Sequence, residues 1–301
     1  MPSARLRRIV REGYTLEYFK WFFDKRNRGS KADFPQYLSV VAIVKNETAY
    51  IAEWLEYHLL VGVEKFYIYD NNSTDNLKEY LEPYIKAGIV EYTNFPGRER
   101  QVPAYNDALK KHRYDSYWLA YIDIDEFLVP VSAESLPDFL HSFEGACGVS
   151  VNWLVYGDNG HNAKIDGLVI ERFKAHAETN FKYNHLVKVV HNPRYLFKAD
   201  VHSGHYWHNA VNASLDTHGG KRSEYGSGTD IVYHDKLRLH HYWSKSYEEY
   251  LVKKGKGRAV LERLPLAAFE EYNRNDVKDD TTMDKYVPLV KESLAKRFAP
   301  K

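Results

Sequence analysis

Tyr121-Ile122-Asp123-Ile124-Asp125-Glu126-Phe127 continues an apolar run that begins at Trp118. Residues 117–122 are predicted to form a strand covered on both faces, because the run has no polar alternation. Asp123 and Asp125 lie two residues apart, and extended backbone points both carboxylates to one side. Two carboxylates held close repel unless a cation or a proton separates them. Hard oxygen ligands suit Mg2+ or Mn2+, whose shells commonly take in substrate phosphates. The alternative is a solvated Asp-x-Asp turn, and the apolar Phe127-Leu128-Val129-Pro130 that follows argues against it. The stretch reads as a divalent-cation site gripping a diphosphate at the end of a parallel strand.

Strand and helix alternate outward from this run. Residues 38–44 are a β-branched apolar run. Ile51, Trp54, Leu55, His58 and Leu59 follow at helical spacing, closed by Gly62. Strands are predicted at 65–69 and 89–92, and helices over 77–84 and 102–112. This alternation predicts an α/β fold with a doubly wound, mostly parallel sheet. Ligands of such sheets bind beyond the carboxyl ends of the strands. Lys45-Asn46-Glu47, Asp70-Asn71-Asn72-Ser73 and Asp123-x-Asp125 all fall there. Further strands are predicted at 149–156, 186–190 and 237–242, with an irregular stretch over 160–235 building an acceptor site. Residues 246–264 are basic and helical. Three parts are expected: a basic aromatic extension over 1–36, a catalytic domain over 37–264 and a helical tail over 265–301.

Composition narrows the function. A net charge of +1 over 301 residues does not suggest nucleic-acid binding. Cys147, the single cysteine, cannot form an internal disulfide, which fits a reducing compartment. No window reaches the ~20 apolar residues of a membrane span, and no apolar stretch of a secretory signal follows the first arginines. Asn-x-Ser/Thr sequons occur at Asn46, Asn71, Asn72 and Asn212. Three of them fall just beyond the first two predicted strands, on the expected ligand edge, where a glycan would block binding. A cytoplasmic protein is expected, peripheral to the inner face of a membrane through the basic residues and aromatics of 1–36; a helix packed on the domain with a solvated basic face is the alternative.

The clusters suggest chemistry. Asp70 and its amide neighbours would hold a base or ribose hydroxyl, or form an Asx turn and helix cap, or both. Neither a Rossmann glycine fingerprint nor a Walker pattern occurs, which leaves a diphosphate to metal and basic side chains. Histidines crowd the C-terminal half. His240 and His241 lie on a predicted strand beside Lys245, where an imidazole would complete the metal shell and Lys245 would neutralise a departing phosphate. His202, His205 and His208 offer weak ligand spacing.

Taken together these residues resemble glycosyltransferase family 92 and its bacterial family-2-like relatives. The resemblance rests on Val44-Lys45-Asn46-Glu47, Ile51-x-Glu53-Trp54-x-x-Tyr57-His58, the run from Phe66 to Asp75, and Ile122-Asp123-Ile124-Asp125-Glu126-Phe127. Trp153-x-x-Tyr156-Gly157, Glu171-Arg172-Phe173, Lys188 and His241-Tyr242-x-x-Lys245-Ser246-x-Glu248-Glu249 follow in order. It covers roughly residues 38–258. It implies a GT-A fold, a nucleotide-sugar donor (taken here as a UDP-sugar), Mn2+ or Mg2+, a carbohydrate or glycolipid acceptor and inversion at the anomeric carbon. Asp123, Asp125 and His241 are the expected metal ligands. Lys45, Asn46, Glu47, Asp70, Asn71, Gln101, Asp123 and Lys245 are the expected donor contacts. Inversion needs a carboxylate base, for which Glu171 and Asp158 are the candidates. The competing readings are a nucleotidyltransferase acting on sugar phosphates, a metal hydrolase using the histidines, and a non-catalytic carbohydrate-binding protein.

Overall fold

The computed structural model describes residues 4–11, 15–207, 214–222, 226–256 and 267–299. Its strands are β1 Gln36–Val44, β2 Lys65–Asp70, β3 Val90–Asn94, β4 Ser116–Tyr121, β5 Glu126–Pro130, β6 Gly148–Val155, β7 Val187–His191, β8 Leu196–Ala199, β9 Gly204–Tyr206, β10 Ser214–Leu215 and β11 Leu237–His241. The main sheet runs β3-β2-β1-β4-β7-β6-β11-β5, with β10 beside β6, and β8 pairs with β9 apart from it. β3, β2, β1 and β4 are mutually parallel. β7 runs against both β4 and β6, β11 lies parallel to β6, and β5 runs against β11. The result is the α/β, mostly parallel, GT-A-like architecture expected, with an irregular C-terminal half and a helical tail.

These directions gather one edge. The carboxyl ends of β1, β2, β4, β6 and β11 meet the amino ends of β5 and β7 there. Register fixes the match: Val44 lies beside Asp70, and His241 beside both Val155 and Glu126.

The helix Thr48–Leu60 supports this edge from beneath. Trp54 Nε1 donates to the Glu126 carbonyl at 2.8 Å, and Tyr57 OH to the Leu128 carbonyl at 3.0 Å. His58 bridges the Trp54 carbonyl and the Leu128 N–H. Burial lowers its pKa to about 3, so it is a neutral core residue whose two nitrogens are both satisfied. Gly62 holds φ +99°, and a Cβ there would lie 2.6 Å from Pro137 Cδ, so the turn needs glycine.

Two local expectations need correction. The helix over 77–84 is two short ones, Leu77–Tyr80 and Glu82–Lys86, because Pro83 has no N–H to continue the first. β5 was not foreseen. It is held by β11, which arrives far later in the chain.

The ends of the chain pack on the domain. Trp21, in the helix Thr15–Phe23, is buried and stacks on Trp207 with ring centroids 5.7 Å apart. The helix Val287–Arg297 crosses Thr48–Leu60, burying Val290 and pairing Arg297 Nε with Glu56 at 2.9 Å. The expected boundary at 264/265 lies outside the described residues, as do His208 and Asn212. Among the described residues no helix is long and apolar enough to cross a membrane.

Candidate active site

A cavity of about 880 Å³ opens on the gathered edge. At its centre the chain leaves β4, passes Asp123 and Asp125, and enters β5. Asp123 N–H donates to Glu126 Oε2 at 2.9 Å, closing that turn. The Asp123 carboxylate accepts from Gln101 Nε2 at 2.9 Å, Tyr105 OH at 3.3 Å and Lys188 Nζ at 3.0 Å. Lys188 is buried at the start of β7 and also reaches Glu126 at 3.6 Å. Burial works against its charge, but Asp123 and Glu126 outweigh it and hold the ammonium above its ordinary range. Burial raises the Glu126 carboxyl well above its usual value against the pull of Lys188, with Asp123 and Asp125 adding to the rise. This one lysine lets the carboxylates crowd together, since an uncompensated buried pair would be strongly unfavourable.

Asp125 faces the other way. Its Oδ2 accepts from Lys253 Nζ at 2.6 Å, and its Oδ1 lies 3.6 Å from His241 Nε2. Burial opposes its charge, yet Lys253 and His241 hold the carboxyl well below the usual carboxylate range. His241 itself is lowered by burial, with Asp125 pulling back, and its ring packs 4.2 Å from Trp153. Strand alternation separates the two histidines of β11. His240 turns the other way, against Tyr156 and Tyr242, so of the two it is His241 that faces the aspartates.

The side expected to hold the donor is formed by the loops after β1 and β2. Lys45, Asn46, Glu47 and Asn71 line the cavity, as do Gln101 and Lys245. Asn46 and Lys245 hold φ of 55° and 51°, left-handed conformations that side chains adopt at a cost and that cluster at functional sites. Asp70 does not line the cavity. Its carboxylate is engaged by Ser73 N–H at 2.8 Å and Tyr92 OH at 2.5 Å, which ties it to its own loop and to β3. Asp75 stands at the wall instead, with one oxygen on Thr48 N–H.

Among the described residues, four buried polar atoms of the wall have no hydrogen-bond partner: Asp75 Oδ1, Trp153 Nε1, His241 Nδ1 and Ser244 Oγ. Such atoms are rare in folded proteins and costly unless something binds them. Lys45, Lys164, Lys245 and Lys253 also line the cavity. Lysines, carboxylates and unsatisfied groups around one hollow suit a polar ligand that carries both hydrogen-bonding groups and charge.

Both expected bases lie elsewhere. Glu171 pairs with Lys291 at 2.7 Å and caps its own short helix through the Leu168 N–H. Asp158 accepts from Gly160 N–H at 2.8 Å and Asn275 Nδ2 at 3.0 Å, folding its own loop. Neither lines the cavity. Glu249 does, clamped by Arg172 through two 2.9 Å bonds. Burial opposes its charge, but Arg172 and Ser246 bring its pKa to about 2. Sequence reasoning missed Lys253, Asp75, Asp200 and His202 as cavity residues, and also Tyr272 of the tail. A basic helical stretch was the only sign of Lys253.

The sequence profile of glycosyltransferase family 92 matches residues 39–256. The chain belongs to glycosyltransferase family 92. A family 92 protein of Oryza sativa subsp. japonica is 30% identical over 108 residues, covering 35% of this chain and 18% of its own. A galactan beta-1,4-galactosyltransferase of Arabidopsis thaliana is 29% identical over 104 residues, covering 31% and 20%. The matched segment thus spans about a fifth of these relatives' length. Among solved structures, S. aureus TarS 1-349 in complex with UDP-GlcNAc is similar at 16% identity and a TM-score of 0.36, covering 52% of this chain and 46% of that one.

Proposed function

We propose that this family 92 chain is a metal-dependent, inverting glycosyltransferase that moves a hexose from a UDP-sugar to a hydroxyl of a carbohydrate or glycolipid acceptor. The observation that carries the reading is the cavity itself: paired acids, four lysines and four unsatisfied polar atoms at the carboxyl edge of a parallel sheet. The names of the galactan beta-1,4-galactosyltransferases it resembles make UDP-galactose the first donor to try.

A divalent cation fits part of the expected set. Asp125 and His241 face each other in the wall, and a carboxylate with an imidazole suits Mn2+. Asp123 is turned to Lys188 and Gln101. No group of three His, Cys, Asp or Glu among the described residues stands close enough to hold a metal alone, so donor phosphates and Asp123 would complete the shell. When bound, the ion supplies positive charge to the leaving diphosphate. Lys245, over the Tyr50 ring at 4.6 Å, adds a fixed charge to the same wall.

The base role passes from Glu171 and Asp158 to Asp200. Of the other acids of the wall, Glu47 belongs to the proposed donor contacts, Asp123, Asp125 and Glu249 are tied to cations, and Asp75 and Glu248 each accept a distant backbone N–H. Among the described residues the Asp200 carboxylate accepts only the N–H of adjacent Val201, at 2.8 Å. It is held in place from behind. Ala199 exchanges two 2.9 Å bonds with Asn106, on the helix Gln101–His112 that also supplies Gln101 to Asp123. In the reaction the acceptor oxygen bonds the anomeric carbon, the bond from that carbon to the phosphate oxygen breaks, and Asp200 takes the hydroxyl proton.

A cytoplasmic site of action belongs to the same reading. The test is a donor screen of UDP-, GDP- and CMP-sugars with and without Mn2+. Release of UDP from a UDP-sugar, abolished by EDTA, is the expected result. Undiminished turnover in EDTA, or release of pyrophosphate, would overturn it.

A further inference from the structure

Charge is segregated in this chain. Residues 1–31 hold nine basic side chains against three acidic ones, a surplus of about six, while the whole molecule carries +1. The remainder is therefore net acidic. In the same segment the helix Thr15–Phe23 has two unlike faces. One is anchored: Trp21 stacks on Trp207, its Nε1 donates to the Arg194 carbonyl at 2.5 Å, and Tyr18 lies 6.0 Å from the Trp207 ring. The other exposes Leu16 at 61%, Phe19 at 54% and Phe23 at 75%. Lys20 and Lys25 are exposed beside them.

We infer that this helix is a docking surface for an anionic lipid bilayer. Exposed rings flanked by basic side chains match an interface that is apolar below the headgroups and negative at them. A protein partner of equal apolarity would not call for the surplus charge. The anchored face matters as much, since it fixes the helix to the domain before any lipid is met. The proposal does not depend on the transferase reading, because its readout is binding.

The experiment is flotation of the full chain with vesicles of phosphatidylcholine alone or mixed with phosphatidylglycerol, at low and raised salt. Binding to the anionic vesicles, weakened by salt, is expected. Phe19→Ser and Phe23→Ser should each weaken it about tenfold, and Lys20→Glu with Lys25→Glu at least about thirtyfold. All four side chains are exposed, so melting temperature should not move. Equal binding to both vesicle types, no binding to either, or substitutions without effect would overturn the proposal. So would a dimer in light scattering that Phe19→Ser and Phe23→Ser dissolve, since the face would then serve self-association.

Discussion

Asp125 and Asp123 divide their labour by what touches them. Asp123 is satisfied by three donors of the protein. Asp125 has Lys253 on one oxygen and His241 near the other, and it is the carboxylate best disposed to accept a cation. Asp125→Asn should therefore cut transfer at least about a hundredfold and weaken donor binding in titration calorimetry, with a circular dichroism spectrum like the parent's. Asp200→Asn should lower turnover by about 10²–10⁴-fold with donor affinity nearly unchanged, while Glu171→Gln and Asp158→Asn keep most of theirs. Steady-state kinetics on the three variants decides between them. Glu53 makes a prediction about pH. It accepts the N–H groups of Val169 and Ile170, and burial raises its pKa from 4.5 to about 7. The folded protein then keeps a proton that the unfolded chain has released above pH 4.5. Stability from that proton is fully present below the unfolded value and is lost as pH rises to 7. Relative to the parent, Glu53→Gln should gain about 3 kcal/mol between acid and neutral pH, measured by urea unfolding across the range.

At the scale of elements, legibility followed burial. β1, β2 and β4 could be read because parallel strands covered on both faces leave unbroken apolar runs. The helix Thr48–Leu60 could be read because its spacing and Gly62 agreed. β5 could not, because Glu126, its first residue, is a buried acid whose compensation by Lys188 lies on another strand. That the Asp-x-Asp would face the sheet's ligand edge could be read from its own residues, and both acids line the cavity there. Its partners could not, since Lys253 and Asp200 reach the cavity through tertiary packing that no local pattern encodes. Glu171 misled for a related reason. Its place in a matching run said nothing of Lys291, which neutralises it from the tail. That tail is structural in its own right. Val290 is fully buried between the last helix and Thr48–Leu60, so Val290→Asp should cost at least about 3 kcal/mol by burying an unpaired charge. A drop in melting temperature would register it.

Over the whole molecule, the cavity wall carries its own constraint on where the protein can work. Asn46 and Asn71 are sequon asparagines, and both line the cavity. Expression through a secretory route should put glycan on at least one and abolish donor binding. The same chain made in a bacterial cytosol should bind donor, and mass spectrometry with a binding titration compares the two. The seat of the last helix has a further consequence. Tyr57, in an early helix, packs its ring 5.1 Å from that of Tyr286, and Phe298 closes on Tyr80 at 5.0 Å. A nascent chain emerging from the ribosome cannot finish this face until residue 298 is made. Throughout synthesis the early helix keeps an apolar flank bare, open to chaperones or to a neighbouring chain. Completion of this face thus waits on the emergence of its last helix, however early the rest of the sheet has formed.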